Sequence, residues 1–248
     1  MAIIPDASNV AREDVGYPES DGRPVAETPI HRDNLLYAVY RLERWFAGDP
    51  MIYVSGNMFV YYDRGNARKS VAPDVFVVVG TPRDKPRRVY KVWEEDGHAP
   101  DLVIEVTSRS TQYEDMEDKF ELYRDTLRVR EYFLFDPEAD YLDPPLWGCR
   151  LRDGEYLPIA AVDGRLPSEV ARLHLEQSGH DLRLYDPVAQ VYLLTPPELG
   201  LAYDKLKHET DALETRNVEL ETENERLRAE LRALRGESDP QKKGRGRC

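Results

Sequence analysis

Glu105 sits inside an apolar run, Leu102-Val103-Ile104-Glu105-Val106. An ionised carboxylate in such a run is costly unless it is paired or holds a metal ion. A second acid, Asp74, follows Pro73 and heads another apolar run, Val75-Phe76-Val77-Val78-Val79. An acid at the head of one strand and another within a neighbouring strand can converge on one divalent cation. Magnesium takes one or two carboxylates and completes its shell with waters and phosphate oxygens. A cation held there can activate water and stabilise a phosphoryl transition state. Asp101 heads the same run as Glu105, and side-chain alternation puts both on one face. They stand roughly 13 Å apart at about 3.3 Å per residue, too far to share an ion. Asp74 is therefore the expected partner of Glu105, and Asp101 is expected to cap the strand entrance.

These acids need elements to hold them. Thr28-Pro29 has the form of an N-cap followed by proline at the first helical position. The apolar residues Leu35, Leu36, Val39, Tyr40, Leu42, Trp45 and Phe46 then recur at helical spacing until Gly48. Met51–Ser55 and Met58–Tyr62 flank Gly56-Asn57 and predict two strands joined by a hairpin or tight turn. Asp74–Val79, Arg88–Trp93 and Asp101–Thr107 predict three more strands. A polar helix is expected from Ser110-Thr111 to about Arg128, then a strand over Glu131–Phe135. Leu151–Pro158 and Leu182–Leu194 predict terminal strands. The order indicates an α/β fold, a mixed sheet flanked by helices. Residues 1–24, broken by Pro18, Gly22 and Pro24, read as a polar arm.

Pro196-Pro197 marks a boundary, beyond which leucine recurs every seventh residue: Leu206, Leu213, Leu220, Leu227 and Leu234. With these at d, the a positions hold Thr210, Asn217, Asn224 and Leu231. Asparagine at a costs stability but sets register and favours two parallel strands. In a parallel pair Arg216 meets Glu221, Glu223 meets Arg228 and Glu230 meets Arg235 across the seam; only Glu209 and Glu214 repel. Residues 198–236 are thus expected to form a parallel dimeric coiled coil whose leucine-heptad stretch is roughly 45 Å long; the competing reading is a single solvated helix. The tail 237–248 is basic and reads as a solvated, disordered end.

The chain of 248 residues carries 34 Lys and Arg against 47 Asp and Glu, a formal charge of −13. That balance argues against a protein that coats long stretches of nucleic acid, which needs a basic face to release counterions. An acidic enzyme can still act on DNA through local positive charge and divalent metals. With 41% hydrophobic residues and 15 tyrosines the composition supports a packed core. No run approaches the roughly 18 apolar residues of a membrane helix, and Met1–Pro5 lacks the features of a signal peptide. Cys149 and Cys248 are too few and too far apart for a disulfide framework or a zinc site, so a cytoplasmic location is expected. A leucine-zipper transcription factor is excluded, because Thr195-Pro196-Pro197-Glu198 precedes the heptads where a basic helix is needed.

The ordered set Val71-Ala72-Pro73-Asp74-Val75, Pro100 to Thr111, Asp115, Lys119, Tyr123 and Glu131-Tyr132-Phe133-Leu134-Phe135-Asp136-Pro137 resembles the Uma-two family of restriction-endonuclease-like proteins, placed in the PD-(D/E)XK nuclease superfamily. The similarity spans approximately residues 25–195. The resemblance implies a restriction-endonuclease-like mixed sheet and a metal-dependent endonuclease that hydrolyses DNA phosphodiester bonds. Asp74 then matches the acid of the PD element and Glu105 the second acid, both holding Mg2+ or Mn2+, with Glu27 as a further acid from the first helix. The motif lysine falls at Thr107, a departure for which Lys119 of the following helix is the stand-in. Asp115, four residues before Lys119, can pair with it.

Each residue also has a plainer reading. Asp74 could simply start a strand, and Glu105 could be neutralised by Arg109 or Lys119. Lys119 could be a solvated helix residue. His31 could reach the same pocket from the first helix but reads as a polar helix residue, and Tyr123 reads as core packing. The alternative function is a catalytically inactive nuclease-fold protein serving as a dimeric nucleic-acid-binding or assembly module.

Overall fold

The structure, a computed structural model, describes residues 16–20, 28–109 and 111–235. The chain divides into two compact units, Met1–Leu193 and Leu194–Cys248. The first begins with α1 (Pro29–Trp45), capped by Thr28, whose side chain accepts from the His31 backbone N–H. The strands that follow are β1 (Ile52–Ser55), β2 (Val60–Tyr61), β3 (Ser70–Val71), β4 (Val75–Val79), β5 (Tyr90–Lys91) and β6 (Leu102–Val106). Next comes α2, which joins a π-helical turn Glu114–Asp118, an α-helical turn Lys119–Glu121 and a second π-helical turn Leu122–Thr126. β7 (Glu131–Phe135), β8 (Leu146–Arg152), β9 (Glu155–Pro158), β10 (Leu166–Pro167), β11 (His174–Ser178), β12 (Asp181–Asp186) and β13 (Val191–Tyr192) complete it.

Six strands form the main sheet in the order β1-β4-β6-β7-β8-β9. Only β6 and β7 run parallel, and parallel neighbours need a long crossover, which α2 supplies. The central strands are apolar throughout because both faces are covered. On one face Val75, Val77, Leu102, Ile104, Phe133 and Phe135 pack with Leu35, Ala38 and Leu42 of α1 and with Leu175, Leu182 and Leu184 of the β10–β13 sheet. On the other, Phe76, Val78, Val103, Tyr132 and Leu134 pack with Tyr123 and Leu127. Alternation along β6 delivers Glu105 to this second face, under α2.

Four local expectations need correcting. β1 and β2 are not a hairpin: β1 pairs with β4 in the main sheet, whereas β2 pairs with β3 and β5 in a three-stranded sheet. Gly56 turns the chain between the two sheets. It lies so close to the Asp74 carbonyl that a Cβ there would collide with its oxygen. The strand expected over Arg88–Trp93 shrinks to Tyr90–Lys91 and passes into a 3-10 turn, Val92–Glu94. Leu151–Pro158 is the end of β8, a turn at Asp153-Gly154 and β9. Leu182–Leu194 likewise divides into β12 and β13. In each pair the apolar pattern runs on across a turn.

The second unit contains α3 (Pro196–Leu234), opened by a full capping box in which Thr195 and Glu198 satisfy each other's backbone N–H groups. Leu206, Leu213, Leu220, Leu227 and Leu234 are all exposed in the single chain. Arg216 bonds Glu219 and Arg226 bonds Glu230 along the helix.

Candidate active site

Asp74 and Glu105 meet at the edge where β4 and β6 diverge. The antiparallel register, Val75 opposite Ile104, places Asp74 opposite Glu105, and the contacts agree. The Asp74 backbone N–H donates to Glu105 Oε2 at 3.1 Å, and the Val106 N–H donates to Asp74 Oδ2 at 2.8 Å. Each acid thus replaces a rung of the strand ladder, which fixes the pair without help from a ligand.

Lys119 comes from α2. Its Nζ lies 3.2 Å from Glu105 Oε1 and 2.8 Å from Asp115 Oδ1. Tyr123 donates its hydroxyl to Glu105 Oε1 at 2.7 Å. Asp115, Lys119 and Tyr123 are spaced by four, so one face of α2 presents all three to Glu105. The widened π-helical turns lie in this stretch, a distortion often found at functional sites. Thr107, at the motif-lysine position, donates to Asp115 Oδ2 at 2.7 Å and also bonds the Tyr141 hydroxyl. The residue standing where the lysine was expected therefore anchors the carboxylate that holds the substitute.

Glu105 is fully buried, and Asp115 and Thr107 nearly so. Burial pushes the Glu105 carboxyl up to about 8; Lys119 opposes this, while Asp74 and Asp115 add to it. Burial works against the Lys119 ammonium, but Glu105 and Asp115 outweigh it and hold its pKa above the usual lysine value. Lys119 is therefore a firmly protonated cation, fit to offset negative charge and unfit to accept a proton at neutral pH. Burial, then the Glu105 charge, raises the Tyr123 phenol well above its ordinary value.

Of the residues expected from the sequence, Asp74, Glu105 and Lys119 come together here. Glu27 lies outside the described residues. Asp101 is elsewhere: its Oδ2 accepts from the Val79 N–H at 2.7 Å and its Oδ1 faces Arg130 at 3.3 Å. Arg109 bonds the Asp140 carbonyl, so Lys119 is the cation on Glu105. Two residues read as bystanders belong to the site. Tyr123 bonds Glu105, and His31 Nε2 lies 3.5 Å from Asp74 Oδ1. The four-residue spacing of Asp115, Lys119 and Tyr123 was the available signal for the first. Tyr141, 34 positions from Thr107, left none.

Carboxylate oxygens are the hard donors that Mg2+ and Mn2+ accept. Among the described residues the contact on Asp74 Oδ1 is the longer one from His31, which leaves lone pairs for a cation. Among the described residues no group of three or more His, Cys, Asp or Glu side chains is disposed to hold a metal. A cation held by Asp74 and Glu105 alone would have to keep much of its water, as Mg2+ does.

The family model of Uma2, described as "Putative restriction endonuclease", matches residues 6–179. Among solved structures the chain is similar to a putative nuclease belonging to DUF820 from Anabaena variabilis ATCC 29413. The two are 17% identical with a TM-score of 0.46, over 62% of this chain and 80% of that one. No curated protein matches the chain.

Proposed function

The chain belongs to the Uma2 family of restriction-endonuclease-like proteins, and from that premise we propose that it is a metal-dependent endonuclease that hydrolyses DNA phosphodiester bonds and dimerises through α3. The observation that carries this reading is the Asp74–Glu105 pair with the Lys119 ammonium 3.2 Å from Glu105. Asp74 and Glu105 would hold Mg2+ or Mn2+, which when bound supplies a polarised phosphate and an activated water. Glu105 and Asp115 hold Lys119 as an ammonium, which offsets charge on the phosphoryl group and orients the attacking water; it does not deprotonate it. Thr107 and Tyr141 keep Asp115 in place, and Tyr123 fixes the Glu105 carboxyl.

The test is incubation with plasmid DNA and Mn2+, with chelator, and with the Glu105→Gln variant. Cleavage is expected only in the wild type with metal; undiminished cleavage by the variant rules this site out. Exposed leucines at every seventh position and the attractive pairs Arg216–Glu221, Glu223–Arg228 and Glu230–Arg235 support a parallel dimer, with Asn217 and Asn224 in the seam. Sedimentation should find a dimer, and Leu213→Lys with Leu220→Lys a monomer.

One observation favours a second reading, a catalytically inactive nucleic-acid-binding or assembly module. Both Glu105 oxygens already accept hydrogen bonds from the chain. Calorimetric titration with Mn2+ separates the two, because only the enzyme should show binding that Glu105→Gln removes.

A further inference from the structure

A chain of charge −13 that grips a polyanion must concentrate unpaired positive charge somewhere, since affinity for DNA comes largely from neutralised phosphates. Basic side chains between β4 and β6 are already committed. Lys85 and Arg87 share the buried Glu95, Arg88 pairs with Glu19, Lys91 with Glu94, and Arg83 donates to the Phe46 and Ala47 carbonyls. The turn between β2 and β3 differs. In Tyr62-Asp63-Arg64-Gly65-Asn66-Ala67-Arg68-Lys69 three basic side chains are exposed, and among the described residues none has a carboxylate partner.

Hydrogen bonds also tie this turn down. Gly65 takes φ +95°, its N–H donates to the Tyr17 hydroxyl, Asn66 Oδ1 accepts from the Arg68 N–H, and the Lys69 N–H donates to the Asn66 carbonyl. Its base is tied to the site. β3 leads through Ala72 and Pro73 directly into Asp74, and the Asn57 N–H donates to the Pro73 carbonyl. Lys69 lies five residues before Asp74, at most about 18 Å of extended chain. One DNA strand carries a charge for every 3.4 Å or so of helix axis, so that span along the axis reaches at most about five phosphates.

We propose that the β2–β3 turn is the DNA-backbone clamp of this protein, with Arg64, Arg68 and Lys69 contacting phosphates that flank the bond presented to Asp74 and Glu105. The proposal rests on the reading of the chain as acting on DNA. These contacts carry no base information; they set affinity and register.

The test measures binding of a fluorescent duplex oligonucleotide against salt, using full-length Glu105→Gln protein with and without Arg64→Gln, Arg68→Gln and Lys69→Gln. The triple substitution is expected to weaken binding more than about tenfold and to flatten the log–log salt slope by up to about 2.7, near 0.9 for each phosphate lost. Single variants should each give part of that change, with thermal melting unaltered. Unchanged affinity and slope, or a parent protein that does not bind the duplex, overturns the clamp. Cleavage is scored separately. A wild type that cleaves while the triple variant binds as well as its parent refutes the clamp and spares the hydrolase. A protein that binds through the turn but never cleaves with Mn2+ refutes the hydrolase and spares the clamp.

Discussion

Two glutamates are buried at opposite ends of the parallel pair β6 and β7, and their surroundings differ in kind. Glu131, at the start of β7, accepts from Arg150 Nε at 2.8 Å, from the Ser168 hydroxyl and from the Glu169 and Val170 N–H groups. Every donor around it serves to neutralise it, and the result ties β7 to β8 and to the turn after β10. Glu105, near the end of β6, has a cation and two donors as well, but Asp115 shares that ammonium, and Asp74 and Asp115 both add negative charge to its surroundings. One acid is closed off by its partners. The other stands among like charges that a second cation would relieve, and burial alone does not distinguish them.

Exchanging the glutamates should separate the two roles. Glu105→Gln should cost more than about 100-fold in metal-dependent cleavage, since even outer-shell partners of a metal cost 10–100-fold. Its thermal stability should hold or rise, because an amide needs no charge buried. Glu131→Gln should do the reverse. It removes the buried partner of the Arg150 guanidinium, which keeps only the exposed Glu169 carboxylate at 3.0 Å, an effect of about 3 kcal/mol in denaturant melts, with little change in cleavage under conditions where the protein is folded. Equal effects of the two variants on both readouts would erase the contrast.

Lys119→Met sharpens it further. Glu105 and Asp115 lose their shared cation, so stability should drop by about 3 kcal/mol, and less at pH 6 than at pH 8.5, where more of the acid is ionised.

The pH dependence follows from Glu105. Its folded pKa of about 8 lies above the ordinary 4.5, so between those values the folded state holds a proton that the unfolded chain releases. The stability this contributes is full below about pH 4.5 and is lost as pH rises through 8. Metal-free melts should show that loss, Glu105→Gln should lack it, and Mn2+ should stabilise the wild type more at pH 8 than at pH 6. A wild-type profile identical to that of the variant would show that Glu105 titrates normally.

The smallest change is expected from single hydroxyls. Tyr123→Phe removes one donor to Glu105 and Ser168→Ala one donor to Glu131, each about 1 kcal/mol in stability. Only the first should also shift the pH profile upward, because the Tyr123 hydrogen bond lowers the Glu105 pKa.

Much of this was legible locally. The Thr28-Pro29 cap, the apolar runs of β4 and β6 and the leucine period of α3 are short-range patterns, and an acid inside an apolar run identified Glu105 from its neighbours alone. Strand pairing was not legible. Met51–Tyr62 satisfies a hairpin pattern, yet β1 pairs with β4, 21 or more residues on, and β2 pairs with β3 and with β5, 30 residues on, so the two enter different sheets. The sequence by itself determined which acids could not be left unpaired in the core. Only the tertiary structure decided who answers them: the β4–β6 register opposes Asp74 to Glu105, the crossover of α2 lowers Lys119 onto that pair, and Tyr141 arrives from a distant loop to fix Thr107. Burial is a property of a stretch of chain, but charge compensation depends on distances of 3 Å between residues far apart in sequence, which no local pattern encodes.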